Sequence, residues 1–166
     1  MKRRLTIFSL IALALLISAA LMMTSPVYAG GAPNIFGIGS FDTGTCTLES
    51  GYDFVHKLRG SLKGCFNVKV ESSRCTPGGI YQEKGINKFV GMYDGGTGTF
   101  EARYHFMGKF KDCNEFDFEF FGHCEHPIIK GGGTGVFEDV TGWLHFRDNV
   151  EDGMVVNFPY QGYLRK

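Results

Sequence analysis

Outside its first 29 residues, the sequence is poor in the amino acids that build helices. Alanine occurs there only at Ala32 and Ala102, leucine is scarce, and no window shows the apolar spacing of a helix. Glycine and phenylalanine are abundant instead, with 24 and 16 copies in the whole chain. This composition excludes a helical domain and favours β-strands joined by tight turns.

The chain also lacks an excess of charge and the short motifs of common enzyme classes. Residues 1–29 hold three of the 17 basic residues and none of the 17 acidic ones, so the remainder has a formal charge of −3. This excludes a nucleic-acid partner, which requires a basic face, and gives no attraction to an anionic membrane. GxSxG, P-loop, CxxCH and HExxH sequences are absent, and we predict no cofactor.

A long apolar run occurs once, at the N-terminus. The basic residues 2–4 precede an apolar stretch over 5–23, and Pro26 and the small residue Ala29 follow. This order is typical of a signal peptide, so we predict a signal helix over 1–29, cleaved after Ala29, and a periplasmic or secreted protein. The alternative is an uncleaved anchor, since about 20 apolar residues span a bilayer. After cleavage we predict no membrane association.

Five cysteines follow the predicted signal peptide: Cys46, Cys65, Cys75, Cys113 and Cys124. An oxidising compartment favours disulfides, and the alternative is five reduced thiols. Because five is odd, one thiol is left over unless it pairs between chains, which keeps an oligomer open. If residues 115–122 form a straight strand, Cys113 and Cys124 lie about 30 Å apart. A disulfide needs Cα atoms within about 7 Å, so that pairing is excluded.

The rest of the chain alternates between short apolar–polar runs and glycine turns. Residues 30–40 are glycine-rich and aperiodic, and we predict a flexible lead-in there, followed by one domain over 41–166. The period of two is clearest over 115–120, with phenylalanines on one face and carboxylates on the other. About eight strands result. We predict one closed, antiparallel, all-β barrel, because closure removes exposed edges.

Two glycine-rich segments of this chain resemble each other. They are residues 95–101 (GGTGTFE) and 132–138 (GGTGVFE). Each is predicted to be a glycine turn that leads into a strand whose phenylalanine points inward. Such recurring hairpins suit a barrel better than a solenoid, which needs about three or more repeats.

The C-terminal part of the sequence resembles a known family. The residues concerned are GTGVF at 133–137, VTG at 140–142, Phe146, Asp148 and YQGYL at 160–164. They are similar to the glycine–threonine signature and terminal strand of the allene-oxide-cyclase-like small β-barrels. The resemblance implies a calycin-like, eight-stranded barrel with a central cavity, in a group of plant cyclases, bacterial polyketide cyclases and exported bacterial proteins. It identifies no catalytic residue, because no catalytic motif is matched.

The aromatic strand faces predict a binding site. An eight-stranded barrel is just wide enough either to be filled by its own side chains or to hold one small ligand. We predict a barrel that binds a small, largely apolar molecule without catalysis. The predicted wall consists of Phe100, Tyr104, Phe106, Phe116, Phe118, Phe120 and Trp143. The alternative is that these rings fill the core.

A cyclase- or isomerase-like enzyme is a second alternative, and it requires ionisable side chains inside the barrel. The candidates are Glu101, His105, Asp117 and His145. If their strands pair, Glu101, Arg103 and His105 form one polar patch with Asp117 and Glu119, although a polar face is also the natural outer face. A third alternative is a secreted, non-catalytic interaction protein.

The sequence HCEH at 123–126 contains residue types that bind metals. In an extended strand, however, His123 and His126 face opposite sides, and no CxxC pair is present. We therefore predict no metal site, and these two histidines are the candidates if one forms. The alternative is a polar strand end before Pro127.

Overall fold

The protein is described by a computed structural model over residues 34–113 and 118–166. Its strands are β1 (Ile35–Phe41), β2 (Phe54–Gly60), β3 (Lys63–Cys75), β4 (Ile80–Tyr93), β5 (Gly96–Phe110), β6 (Glu119–Pro127), β7 (Thr134–Gly135), β8 (Thr141–Arg147), β9 (Asn149–Glu151) and β10 (Met154–Arg165). The predicted signal helix over 1–29 lies outside the described residues. In the described part of the chain, no helix is long and apolar enough to cross a membrane.

Eight of these strands form a closed antiparallel barrel in the order β1-β2-β3-β4-β5-β6-β8-β10. The barrel closes where β10 pairs with β1, with Ile35 opposite Gly162. β7 pairs with the start of β5, and β9 pairs with the start of β10. The prediction of an all-β, antiparallel, closed barrel of about eight strands is confirmed.

The first strand, β1, begins before the predicted start of the domain at residue 41. Residues 35–40 fall in the segment predicted to be a flexible lead-in, yet β1 pairs with both β2 and β10. Two of its inward positions are Gly37 and Gly39, where a Cβ would overlap the rings of Tyr160 and Phe158 respectively. The segment looks aperiodic in sequence because glycine replaces the apolar side chain at positions where large rings pack against the strand.

In β6, the side chains of Glu119 and Phe120 have the opposite orientation to the one predicted from the sequence. Glu119 is only 5% exposed, whereas Phe120 is 55% exposed. The cause is a β-bulge, because Lys109 pairs with Phe121 and Phe110 pairs with Glu119, which leaves Phe120 as an extra residue. One extra residue inverts the alternation of faces, so the carboxylate turns toward the interior and the ring toward solvent.

The two similar glycine-rich segments meet at one end of the barrel, which we call the closed end. The hydroxyl oxygens of Thr99 and Thr134 lie 2.9 Å apart across the β5–β7 pair. Phe100 and Phe137 follow these threonines, and both are fully buried with ring centroids 5.0 Å apart, edge to face. The inward orientation predicted for both phenylalanines is confirmed, and together they fill this end of the barrel.

Two disulfides connect parts of the barrel that are distant in sequence. Cys46–Cys65 joins the β1–β2 connection to β3, and Cys75–Cys113 joins the end of β3 to the segment after β5. Cys124 is free and buried. It is the leftover thiol that the odd cysteine count predicts, and two disulfides are consistent with an oxidising compartment.

Candidate functional site

The end of the barrel opposite Phe100 and Phe137 contains a cavity of about 210 Å³. Its aromatic wall consists of Phe41, Phe54, Phe66, Phe106, Phe146 and Phe158. Phe41 and Phe54 are 58% and 39% exposed, so the cavity opens to solvent beside them, and we call this the open end. An apolar cavity of roughly 150 Å³ holds one benzene ring, whereas drug-sized pockets begin at about 300 Å³. The volume therefore suits a single-ring molecule.

The predicted ligand-binding residues separate into distinct environments. Tyr104 and Phe106 line the cavity. Phe100 instead packs at the closed end. Phe118 and Phe120 are exposed, and Trp143 stacks against His145 on the outer face of β8 at 5.5 Å between ring centroids. Phe116 lies outside the described residues.

The predicted catalytic residues do not line the cavity among the residues that the structure describes. Glu101 and His105 occupy the outer face of β5, next to the buried Ala102 and Tyr104, and His145 occupies the outer face of β8. Asp117 lies outside the described residues. Glu119 points to the interior, so it does not join the predicted patch with Glu101, Arg103 and His105.

Two carboxyl groups, Glu119 and Asp148, lie side by side in the cavity wall. The backbone N–H of Glu119 donates to the Gly153 carbonyl at 2.8 Å, and that of Asp148 donates to the Gly122 carbonyl at 2.9 Å. These bonds hold the two side chains close to Gly122, where a Cβ would overlap both carboxyl groups. The pair therefore depends on a glycine at position 122.

This carboxyl pair shares a proton at neutral pH. Burial raises the pKa of Glu119 to about 8, and the hydrogen bond and negative charge of Asp148 add to the effect. Burial also raises the pKa of Asp148, against the opposing influence of Glu119 and the nearby His123. Within the described ranges, Oε1 of Glu119 has no N–H or O–H donor. Two adjacent carboxyl groups cannot both ionise readily when one of them is buried, so the pair retains a proton at neutral pH.

Glu83 is the third carboxyl group in the wall. It accepts hydrogen bonds from the hydroxyl groups of Tyr81 at 2.5 Å and Tyr104 at 2.7 Å. Burial and the bond to Glu83 raise the pKa of Tyr81 to about 12 and raise that of Tyr104 as well. Both hydroxyls therefore stay protonated and act as donors, which holds Glu83 as an acceptor.

Two histidines in the wall are neutral. His126 is 5% exposed, its Nδ1 lies 2.8 Å from Oδ1 of Asn87, and burial lowers its pKa to about 3. Because an amide oxygen only accepts, Nδ1 carries the proton. His56 lies edge-on to Phe158 at 4.7 Å between ring centroids, and burial lowers its pKa to about 4. Neither imidazole adds positive charge to the cavity at neutral pH.

The histidines at 123 and 126 face opposite sides of β6. His126 lines the cavity, whereas His123 lies on the outer face with its ring centroid 6.1 Å from that of His145. Over residues 34–113 and 118–166, no group of three or more His, Cys, Asp or Glu side chains is arranged to hold a metal ion.

Sequence reasoning missed Glu119, Asp148, Glu83 and His56 as residues of the cavity. His56 could have been found, because it alternates with Phe54 and Leu58 and so shares an apolar face with them. Glu119 could not, because its inward orientation depends on the bulge in β6.

The chain matches no protein-family model, and a comparison with curated proteins finds no significant match. The function of the cavity is therefore argued from its own geometry.

Proposed function

We propose that this protein binds a small, largely apolar, single-ring molecule in the open end of the barrel. The observation that carries the proposal is the 210 Å³ cavity with its aromatic wall and solvent-exposed mouth. Transfer of a ring from water into such a wall is favourable by about 25 cal/mol for each Å² of apolar surface removed from water. The packed closed end supplies a rigid floor, so the cavity is largely preformed and little ordering opposes binding.

A pair of neighbouring valines provides the test. Val155 lines the cavity, whereas Val156 is 43% exposed on the other face of β10. Val155→Phe should fill part of the cavity and weaken binding of benzyl alcohol at least about tenfold, which corresponds to about 1.4 kcal/mol. Val156→Phe adds the same side chain outside the cavity and should leave binding of benzyl alcohol unchanged. Ligand-observed NMR titration measures both. Non-saturable binding to the native chain, or equal binding by Val155→Phe, would refute the proposal.

A proton-transferring enzyme of the isomerase or cyclase type is the second candidate. It is favoured by one observation, the carboxyl pair of Glu119 and Asp148 in the cavity wall. A group whose pKa lies near the working pH can both remove and return a proton. Cyclohexanone in D₂O tests this. One carboxylate of the pair removes an α-proton while the protonated carboxyl group donates to the carbonyl oxygen, which gives the enol. After the acidic protons exchange with D₂O, the reverse steps deliver a deuteron to the same carbon. Hydrogen–deuterium exchange that the native chain accelerates and Glu119→Gln does not would support this candidate. Exchange at the buffer rate in the presence of the native chain would contradict it.

We also propose that the protein is exported and that it belongs to the allene-oxide-cyclase-like group. The two disulfides support export, since such bonds persist in oxidising compartments. The eight-stranded barrel supports the family. Cleavage after Ala29 predicts an intact mass for a chain that starts at Gly30 and carries two disulfides and one thiol. The mass of the full-length chain in the exported fraction would contradict cleavage.

A further inference from the structure

We propose, on the basis of the proposed binding function, that the cavity selects a single-ring organic cation whose charged N–H groups bind Glu119 and Asp148. An amidinium or a primary ammonium attached to a ring has this chemistry. The ring would occupy the aromatic part of the cavity, and the charged nitrogen would lie at the carboxyl pair.

The charge of the cavity wall is the first argument. Three carboxyl groups line the cavity, namely Glu83, Glu119 and Asp148, and the described lining residues include no lysine or arginine. Both lining histidines are neutral. The faces of aromatic rings carry partial negative charge, which attracts cations further. The field in the cavity therefore favours a positive ligand over a neutral one.

The second argument is the hydrogen-bonding state of Glu119. Its side chain is almost fully buried, it lines the cavity, and its Oε1 has no donor among the described residues. The pair of Glu119 and Asp148 retains a proton at neutral pH. A ligand with two N–H groups would donate to the carboxyl pair directly and displace that proton to solvent. Such charge-assisted bonds are about twice as strong as neutral ones.

The same features disfavour other ligand classes. An anionic ligand would place its negative charge beside three carboxyl groups with no cationic side chain among the described lining residues, and this is unfavourable in a partly buried site. A neutral ligand would gain the aromatic contacts but would form no charge-assisted hydrogen bond with the carboxyl pair. The expected order of affinity is cation, neutral molecule, anion.

Three probes of one shape test this order. Benzamidinium, benzamide and benzoate share a planar frame and carry positive, zero and negative charge. We expect benzamidinium to bind at least about tenfold more tightly than benzamide, and benzoate to bind most weakly. Glu119→Gln and Asp148→Asn keep the side-chain shape and should each reduce the preference for benzamidinium toward unity. Glu125→Gln removes an exposed carboxyl group from the outer face of the same strand and should keep the preference.

Failure of the cation inference can be told from failure of the binding function. If benzamide binds as tightly as benzamidinium, the inference is overturned while the binding function stands. If the preference survives in both Glu119→Gln and Asp148→Asn, its assignment to the carboxyl pair is overturned. If neither these probes nor benzyl alcohol bind, the binding function itself fails. Cooperative thermal unfolding of each variant checks that it folds, and the two substitutions provide independent tests.

Discussion

Glu119 is a buried acid whose raised pKa lowers the stability of the folded protein as the pH rises. In an unfolded chain its carboxyl group ionises near pH 4.3, whereas burial and Asp148 raise its pKa in the folded protein to about 8. Between these values the unfolded chain has released a proton that the folded chain still holds. The free energy of unfolding therefore falls as pH rises from about 4.5 to 8.

Glu119→Gln should stabilise the protein, and the gain should increase with pH. Glutamine has the same shape and no carboxyl group to ionise, so the variant should match the native chain near pH 4.5. At pH 8 it should exceed the native free energy of unfolding by roughly 2–4 kcal/mol. Urea unfolding at both pH values measures the gap, with Glu125→Gln as the matched control. A gap that stays constant with pH would show that Glu119 is ionised in the folded state.

Cys124 should be unreactive until the protein unfolds. It is buried, and burial raises the pKa of its thiol well above the usual value, while the thiolate is the reactive form. A thiol reagent should therefore label no cysteine in the native protein, one after unfolding without reductant and all five after reduction. Labelling of three thiols in the unfolded, unreduced chain would mean that one disulfide is absent.

At the scale of the strand, the alternation of apolar and polar residues predicts which side chains point inward where two strands pair in regular register. It fails where a β-bulge interrupts that pairing. The faces of β2 and β5 follow from Leu58, Phe100 and Tyr104, since each lies in an unbroken antiparallel register. The most regular pattern in the sequence, over 115–120, gives the wrong face for Glu119 and Phe120. A bulge depends on how two strands pair, and neither strand encodes it alone.

The site was less predictable than the fold for the same reason. Tyr104 and Phe106 could be placed in the cavity from the alternation of β5 alone. The meeting of Glu119 with Asp148 needs the bulge in β6, the pairing of β6 with β8 and the missing side chain of Gly122. Glu119 and Asp148 lie far apart in sequence, and the antiparallel pairing of β6 with β8 brings them together.

The two disulfides should stabilise the barrel to different extents. Cys46–Cys65 closes a loop with a sequence separation of 19, and Cys75–Cys113 closes one of 38. In the chain-entropy model, the longer loop restricts the unfolded chain more, so removal should cost about 3 kcal/mol for the first bridge and about 4 kcal/mol for the second. Paired serine variants, Cys46→Ser with Cys65→Ser and Cys75→Ser with Cys113→Ser, can be compared by urea unfolding. The reverse order would show that native contacts, rather than loop entropy, decide the outcome.

At the scale of the whole molecule, the two ends of the barrel interior differ in packing and polarity. The closed end is filled by fully buried apolar side chains such as Phe89, Phe100 and Phe137, whose rings contact one another. The open end holds the buried Glu119, the half-buried Glu83 and Asp148 and the neutral histidines, polar groups that are costly to bury. The sequence left two alternatives, a barrel filled by its own side chains or a barrel with a cavity, and the structure has a filled end and an end with a cavity.

This division predicts that the protein loses stability in acid through its buried histidines. Unfolded histidine takes up a proton near pH 6.5, whereas burial lowers the pKa of His126 to about 3 and that of His56 to about 4 in the folded protein. Below pH 6.5 the unfolded chain therefore binds protons that the folded chain does not. The free energy of unfolding should fall toward pH 4 by up to about 1.4 kcal/mol per pH unit for each histidine.

The slope is best measured in a Glu119→Gln background, where the opposing contribution of that carboxyl group is removed. His56→Phe, which places a ring among the neighbouring phenylalanines, should reduce the slope by up to about 1.4 kcal/mol per pH unit. Val55→Phe, at the adjacent outward position of β2, is the matched control and should keep it. Urea unfolding between pH 4 and 6.5 gives both slopes. An unchanged slope in His56→Phe would mean that His56 takes up its proton over the same pH range in the folded protein as in the unfolded chain.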